Sequence, residues 1–194
     1  YLNGDVYKGN FKNNKRDGLG TMNYNNGDTY VGHWKEGLKS GIGKLTYKNG
    51  ARYDGEFLNN KQTGTGTYIY GDNEKYEGTW KDGYFEGLGT YYYINGSRYF
   101  GNWLGGLRHG HGSITYYSNG SKYDGEWKND FKNGKGTFIY VNGDNYEGGW
   151  ENDKMNGEGI FTYKNGNKYV GNYKDGKRSG KGTFNYSNGD NYTG

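Results

Sequence analysis

The chain has 194 residues, 40 of them Gly and 24 Tyr, with no Cys, no Pro and only 30% hydrophobic residues. That composition excludes a disulfide framework, a thiolate metal site and a thick aliphatic core, while an aromatic content of 19% excludes the profile of a disordered chain. The 25 basic and 21 acidic residues leave a net charge of +4 at pH 7, too mild to demand a nucleic-acid partner, and no apolar run approaches the roughly 20 residues that span a bilayer.

Taken from the start, Tyr7 opens a Tyr-x-Gly-x-aromatic run that ends at Phe11. Asn13-Asn14 then signals a turn, Gly18 and Gly20 follow, and Asn26-Gly27 signals a second turn just before the motif returns at Tyr30. The leading tyrosines are Tyr7, Tyr30, Tyr53, Tyr76, Tyr99, Tyr123, Tyr146, Tyr169 and Tyr192, spaced by 23 residues except for 24 between Tyr99 and Tyr123. The aromatic position holds Phe11, Trp34, Phe57, Trp80, Trp103, Trp127, Trp150 and Tyr173, which includes all five Trp. The Gly-x-Gly pairs recur in fixed phase and open no helix, so they are architectural and not phosphate loops. Each returning segment carries a Thr-aromatic-x-Tyr run such as Thr137-Phe138-Ile139-Tyr140 and ends at an Asn-Gly turn, except that the third repeat offers Asp72-Asn73.

Every repeat therefore predicts a hairpin joined to the next by another turn. The fold class expected is all-β: an elongated, twisted, single-layer antiparallel sheet of tandem β-hairpin repeats. Full repeats span 7–29, 30–52, 53–75, 76–98, 99–122, 123–145, 146–168 and 169–191, with partial repeats at both ends that suggest a fragment of a longer array. A two-residue hairpin loop sets Tyr7 opposite Gly20, Gly9 opposite Gly18 and Phe11 opposite Arg16, which gathers Tyr, Gly and the aromatic residue on one face. Glycine there leaves room for large rings to lie over bare backbone. The extra residue of the fifth repeat, around Tyr116-Tyr117, is expected to form a bulge that bends the sheet near its middle.

These motifs resemble those of the MORN (membrane occupation and recognition nexus) repeat family. Tyr76-Glu77-Gly78-Thr79-Trp80 and Glu147-Gly148-Gly149-Trp150 match the opening of its unit, and the resemblance covers the whole chain. The departures are Tyr173 in place of Trp, Asn73 in place of the late Gly, and variable residues after the first Tyr. The resemblance implies a non-catalytic scaffold that dimerises and links cytoskeletal or membrane-associated complexes in the cytoplasm, at the cytoskeleton or the inner membrane face. It also implies, as an alternative, contact with phosphoinositides or other anionic phospholipids. The Asn, Lys and Tyr bias is most like that of the all-MORN scaffold proteins of parasitic protozoa.

The position facing each aromatic ring holds Arg16, Lys39, Gln62, Phe85, Arg108, Lys132, Met155 and Arg178. The basic members Arg16, Lys39, Arg108, Lys132 and Arg178 form a candidate track for an anionic headgroup or acidic partner, interrupted at Gln62 and Phe85. The reading favoured for the same residues is that of long stems that cover aromatic surface. His109-Gly110-His111 places two histidines on one strand face, a possible zinc pair that needs further ligands such as Asp124 or Glu126. No nucleophile, base and orienting group converge in the repeat, so catalysis is not expected. A choline- or carbohydrate-binding solenoid is disfavoured because its paired Trp and Tyr cages are missing.

Overall fold

The computed structural model describes residues 3–72 and 74–194, so the departure expected at Asn73 and the opening Tyr1-Leu2 lie outside the described residues. The strands are β1 (Val6–Lys12), β2 (Lys15–Asn23), β3 (Thr29–Lys35), β4 (Leu38–Thr46), β5 (Arg52–Leu58), β6 (Lys61–Ile69), β7 (Lys75–Lys81), β8 (Tyr84–Tyr92), β9 (Arg98–Leu104), β10 (Leu107–Thr115), β11 (Lys122–Lys128), β12 (Phe131–Ile139), β13 (Asn145–Glu151), β14 (Lys154–Thr162), β15 (Lys168–Lys174), β16 (Lys177–Asn185) and β17 (Asn191–Thr193). All 17 belong to one antiparallel sheet, which is the fold class the repeat implies. The chain divides into two compact units, one running to Ile94 with Leu104–Gly106 and the other comprising Asn95–Trp103 with Leu107–Gly194. Both are built on the same plan.

The hairpin loops have two residues, as expected. Asn13 and Asn14 take φ of 49° and 59°, Glu36 and Gly37 take 49° and 87°, and the pattern continues to Asp175 and Gly176 at 50° and 80°. Two successive positive φ values define the mirror-image turn whose twist suits a right-handed hairpin, which explains why Asn, Asp and Gly fill these sites. Next to the loop the register is the expected one, with Phe11 paired to Arg16 and Lys12 to Lys15.

Farther along, the expected register is wrong. Tyr7 pairs with Met22 and Gly9 with Gly20, because a bulge shifts the ladder between Gly9 and Phe11. The outgoing strand of the hairpin has 7 residues and the returning one 9, so the returning strand carries the surplus. Gly18, at φ +92°, sits in this bulge, a conformation that L side chains rarely adopt. The two glycines of the Gly-x-Gly pair therefore do different work: the first supplies the bulge, and the second faces the mid-strand glycine.

That second pairing makes the core. A Cβ on Gly32 would lie 2.5 Å from the Gly43 Cα and 2.6 Å from the Tyr30 hydroxyl, so the two strands and the ring meet at a separation only glycine permits. The tyrosine ring leans diagonally across this bare backbone, and its hydroxyl donates to the carbonyl three residues on: Tyr30 to His33 at 2.9 Å and Tyr76 to Thr79 at 2.9 Å in the first unit, Tyr123 to Glu126 at 2.9 Å in the second. Tyr30, Tyr53, Tyr76, Tyr99, Tyr123 and Tyr146 are fully buried. Each ring meets an aromatic ring of its own repeat edge-on; Tyr30, Tyr53, Tyr99, Tyr123 and Tyr146 each meet another from the next, and Tyr76 also stacks on Phe85 at 3.8 Å. Tyr30 lies 5.1 Å from both Trp34 and Phe57, and Tyr123 lies 5.2 Å from Trp127 and 5.3 Å from Trp150. Such pairs contribute about 0.5–1.5 kcal/mol each beyond their buried area. The tryptophans fasten neighbouring repeats, with Nε1 donating from Trp34 to the Gly20 carbonyl at 3.3 Å and from Trp127 to that of Gly112 at 2.9 Å.

The extra residue of the fifth repeat lies around Tyr116-Tyr117 as expected, but widens a turn instead of forming a bulge. The β10–β11 ladder is regular from Gly110 to Thr115, and the surplus is absorbed in the following turn. There Gly120 N donates to the Tyr116 carbonyl four residues back, whereas in the other turns, such as Gly27 to Tyr24, the bond spans three. A turn exposed to water accommodates an insertion more readily than a strand whose alternate side chains are committed to opposite faces. Asn caps its own loop at these turns, as where Asn26 Oδ1 accepts from Asp28 N at 2.9 Å, and Asp72 does so in the third repeat, accepting from Glu74 N at 3.1 Å. The next polar side chain ties one turn to its neighbour: Asp28 accepts from Lys48 N at 2.9 Å and Asp144 from Lys164 N at 2.8 Å.

Candidate binding surface

The five basic residues singled out in the sequence do share the ring face. The Arg16 guanidinium carbon lies 4.2 Å from the Trp34 ring centroid, that of Arg108 4.3 Å from Trp127 and that of Arg178 4.2 Å from Tyr169. The Lys39 ammonium stands 5.4 Å from Tyr30 and 5.8 Å from Phe57, and that of Lys132 stands 4.8 Å from Trp150 and 5.0 Å from Phe138. The arginines also donate within the chain: Arg16 to the Gly37 carbonyl at 2.6 Å, Arg108 to Asp130 through Nε at 3.0 Å and Nη2 at 2.8 Å, and Arg178 to the Tyr163 hydroxyl. Burial among the rings lowers the pKa of Lys39 and Lys132, with Asp28 and Asp153 opposing the shift. Neither ammonium donates a hydrogen bond to a described residue. Gln62 and Phe85 interrupt the row in the first unit and Met155 in the second, so the basic residues stand in short groups and form no unbroken track.

The two histidines have different surroundings. His111 Nε2 lies 3.3 Å from Asp124 Oδ1, both side chains being largely exposed, whereas His109 is half-buried and its Nδ1 is enclosed without a hydrogen-bond partner. Among the described residues no group of three or more His, Asp or Glu side chains comes together to hold a metal.

Sequence reasoning overlooked the opposite face. There the residues flanking the mid-strand glycine, and those flanking the second glycine of each pair, point away from the rings and vary between repeats. In the first unit this face exposes Leu19, Val31 and Ile42. Across β10 to β15 of the second it carries the row Ser113, Asp124, Thr137, Glu147, Ile160, Val170, each paired to the next. Alongside run His111, Glu126, Lys135, Gly149, Glu158 and Asn172. An open groove of about 790 Å³ is bordered by Asp124, Glu126, Glu147 and Glu158 together with Ile160 and Val170, and is floored by glycines. Glu126 accepts from the Lys135 backbone N–H at 2.9 Å. Glu147 and Glu158 are exposed and have no partner among the described residues. The signal was present in the sequence, as charges at fixed offsets from each leading tyrosine.

The pattern of buried tyrosine, facing glycines and bulge glycine recurs in step with the MORN repeat, which matches at residues 7–29, 30–52, 53–75, 76–98, 99–121, 123–145, 146–168 and 169–191. The chain belongs to the MORN repeat family. A search of curated proteins returned no match. Among solved structures, this MORN array is similar to the TCP domain of Drosophila melanogaster SAS-4 in complex with a proline-rich motif of Ana2, at a TM-score of 0.51 and 19% identity over 88% of this chain and 90% of that one. The wild-type TCP10 domain of Danio rerio CPAP is similar at a TM-score of 0.51 and 10% identity, covering 89% of this chain and 81% of that one. At such identities the likeness is one of fold.

Proposed function

We propose that this MORN array is a non-catalytic, homodimeric scaffold that presents the face opposite its rings to proteins of cytoskeletal or membrane-associated complexes in the cytoplasm. One observation carries the reading. The ring face commits its aromatic and arginine side chains to contacts within the array, while the opposite face exposes side chains that change from repeat to repeat on an unchanging frame. A frame of this kind suits recognition of a partner along its length. The SAS-4 TCP domain, known in complex with a proline-rich motif of another protein, supports the idea that a sheet of this fold can hold a peptide. Light scattering over a rising concentration series tests the dimer. A mass approaching twice 22.0 kDa is expected, and a single-chain mass at every concentration contradicts it.

A second reading, binding of phosphoinositide headgroups, draws on Lys39 and Lys132, whose ammonium groups keep their hydrogen-bonding capacity beside the rings. On this reading, changing Arg108, Lys132 and Arg178 to Glu abolishes flotation with vesicles containing phosphoinositide, and binding weakens steeply with salt. Unchanged flotation discards it.

A further inference from the structure

We infer that the groove on the second unit is a docking site for an extended, basic peptide segment whose cationic side chains recur at every third residue. This inference rests on the scaffold reading and names the partner chemistry for one part of that face. Three observations carry it: charge, spacing and the floor.

The chain as a whole is cationic, at +4, yet the groove brings Asp124 and Glu147 to one border and Glu126 and Glu158 to the other, with Lys135 as the one lysine among its lining residues. The local sign is thus opposite to the net sign, which steers a basic segment to this place and an acidic one away. Glu147 and Glu158 have no ion pair or hydrogen bond with the described residues, so a ligand would meet carboxylates that no internal cation has to surrender. Ile160 and Val170, both exposed, supply apolar surface for the stems of lysine or arginine.

Spacing selects the conformation. Asp124 on β11 and Glu147 on β13 occupy the same row two strands apart, through Thr137. Two strand spacings are about 9.6 Å. In a polyproline II segment, residues three apart project alike and lie about 9.3 Å from one another. In a β-strand, like-facing residues recur every ~6.8 Å, which fits neither one strand spacing nor two. A segment lying across the strands with cations at i and i+3 therefore meets Asp124 and Glu147 in step.

The floor admits such a segment. Gly148 and Gly159 line the floor with backbone, any Cβ on them being directed at Tyr146 on the other face, and Gly149 takes the place in its row that His33, Glu56, Thr79, Asn102 and Glu126 hold in other repeats. That row thus carries no side chain between Lys135 and Glu158, the Asn156 carbonyl occupying the place a Cβ on Gly149 would take.

The test is fluorescence anisotropy with the whole array and a labelled peptide, Lys-Thr-Ala-Lys-Thr-Ala-Lys, at low and physiological ionic strength. Controls are the same composition with the lysines adjacent, and a version with Glu for Lys. Saturable binding of the spaced-lysine peptide is expected, at least about tenfold tighter than either control and weakening with salt. The double variant Glu147→Gln, Glu158→Gln should lose at least about tenfold in affinity. Since neither carboxylate supports the fold, its circular dichroism and thermal midpoint should match the parent. Absence of binding at low salt, equal binding of the adjacent-lysine peptide, or unchanged affinity of the double variant overturns the inference. Self-association that disappears in the double variant also overturns it, by assigning the groove to a second copy. The peptide and the dimer are read separately, so a dimer that ignores the peptide sinks only the groove. A peptide-binding array that never dimerises sinks only the scaffold's symmetry.

Discussion

At the scale of single residues, the fold depends on glycines that are interchangeable in composition and different in role. Gly43 lies beneath the Tyr30 ring, against the Gly32 backbone. Gly43→Ala forces ring and strand apart and should cost about 2–3 kcal/mol, lowering Tm by roughly 5–10 °C. Gly157, at φ +80° with nothing within 4 Å of an added Cβ, meets only backbone strain, and Gly157→Ala should cost about 1–2 kcal/mol. Thermal unfolding of the two variants checks the order, and a harmless Gly43→Ala contradicts the seating of the ring. The buried tyrosines also fix an alkaline limit. Burial pushes Tyr146 and Tyr173 up to about 12 and raises Tyr30, Tyr53, Tyr76 and Tyr123 further. A phenol near 10 in the unfolded chain ionises there first, so this stabilisation is complete below about pH 10 and is lost as pH rises through the folded values. Lys39 and Lys132 act in the opposite sense, but two lysines do not offset six tyrosines. The late fraction of the tyrosinate absorbance, that of the buried rings, and the circular dichroism should change together in one steep step above pH 10, while exposed rings such as Tyr117 report nothing of the fold. Complete tyrosine ionisation near pH 10 with the sheet intact contradicts this. The seating of Arg16 and Lys39 over rings was legible because the two-residue loop fixes the register beside it. The separate roles of Gly18 and Gly20 were not, because Gly-x-Gly spells a bulge and a close approach with the same letters.

At the scale of the element, the repeat is a hairpin with unequal arms. The turn types were legible from Asn, Asp and Gly at fixed offsets, since few other residues tolerate two successive positive φ values. The bulge was not, since a two-residue surplus in the returning strand can be counted only when both strand ends are known. The same ambiguity hid the form of the extra residue of the fifth repeat: a 24-residue spacing shows that a residue is added near Tyr116-Tyr117, and not whether it bulges a strand or widens a turn. With the insertion in the turn, deleting Ser118 leaves Tyr116-Tyr117-Asn119-Gly120-Ser121, the pattern of Tyr93-Ile94-Asn95-Gly96-Ser97. The deletion should fold to the same sheet with Tm unchanged within roughly 2–4 °C, the shift that about 1 kcal/mol produces in a chain of this size. A large loss would mean that the added residue is committed to the β10–β11 ladder after all.

At the scale of the whole molecule, periodicity made the architecture readable before any coordinate was known, because each repeat poses the same packing problem and solves it in the same way. Recognition was less readable, since it lies in the residues that do not repeat. Lys135, Glu147 and Glu158 look like scattered surface charge along the chain and become a bordered groove only when β12, β13 and β14 stand side by side. Arg108 and Lys132 stand against the rings, a placement common to the ring-covering and the headgroup readings of the basic row. The ring face is the protein's core, and on the proposed function the opposite face is its working surface. Hydrogen exchange at the tryptophan indoles, followed by NMR, tests this division of the faces most directly. The Nε1–H groups of Trp34, Trp80, Trp127 and Trp150 donate to the carbonyls of Gly20, Gly66, Gly112 and Gly136. They should exchange only as fast as the repeats open, orders of magnitude more slowly than a free indole. Exchange at the rate of a free indole would show the ring face open to water and available to partners, and would contradict the account.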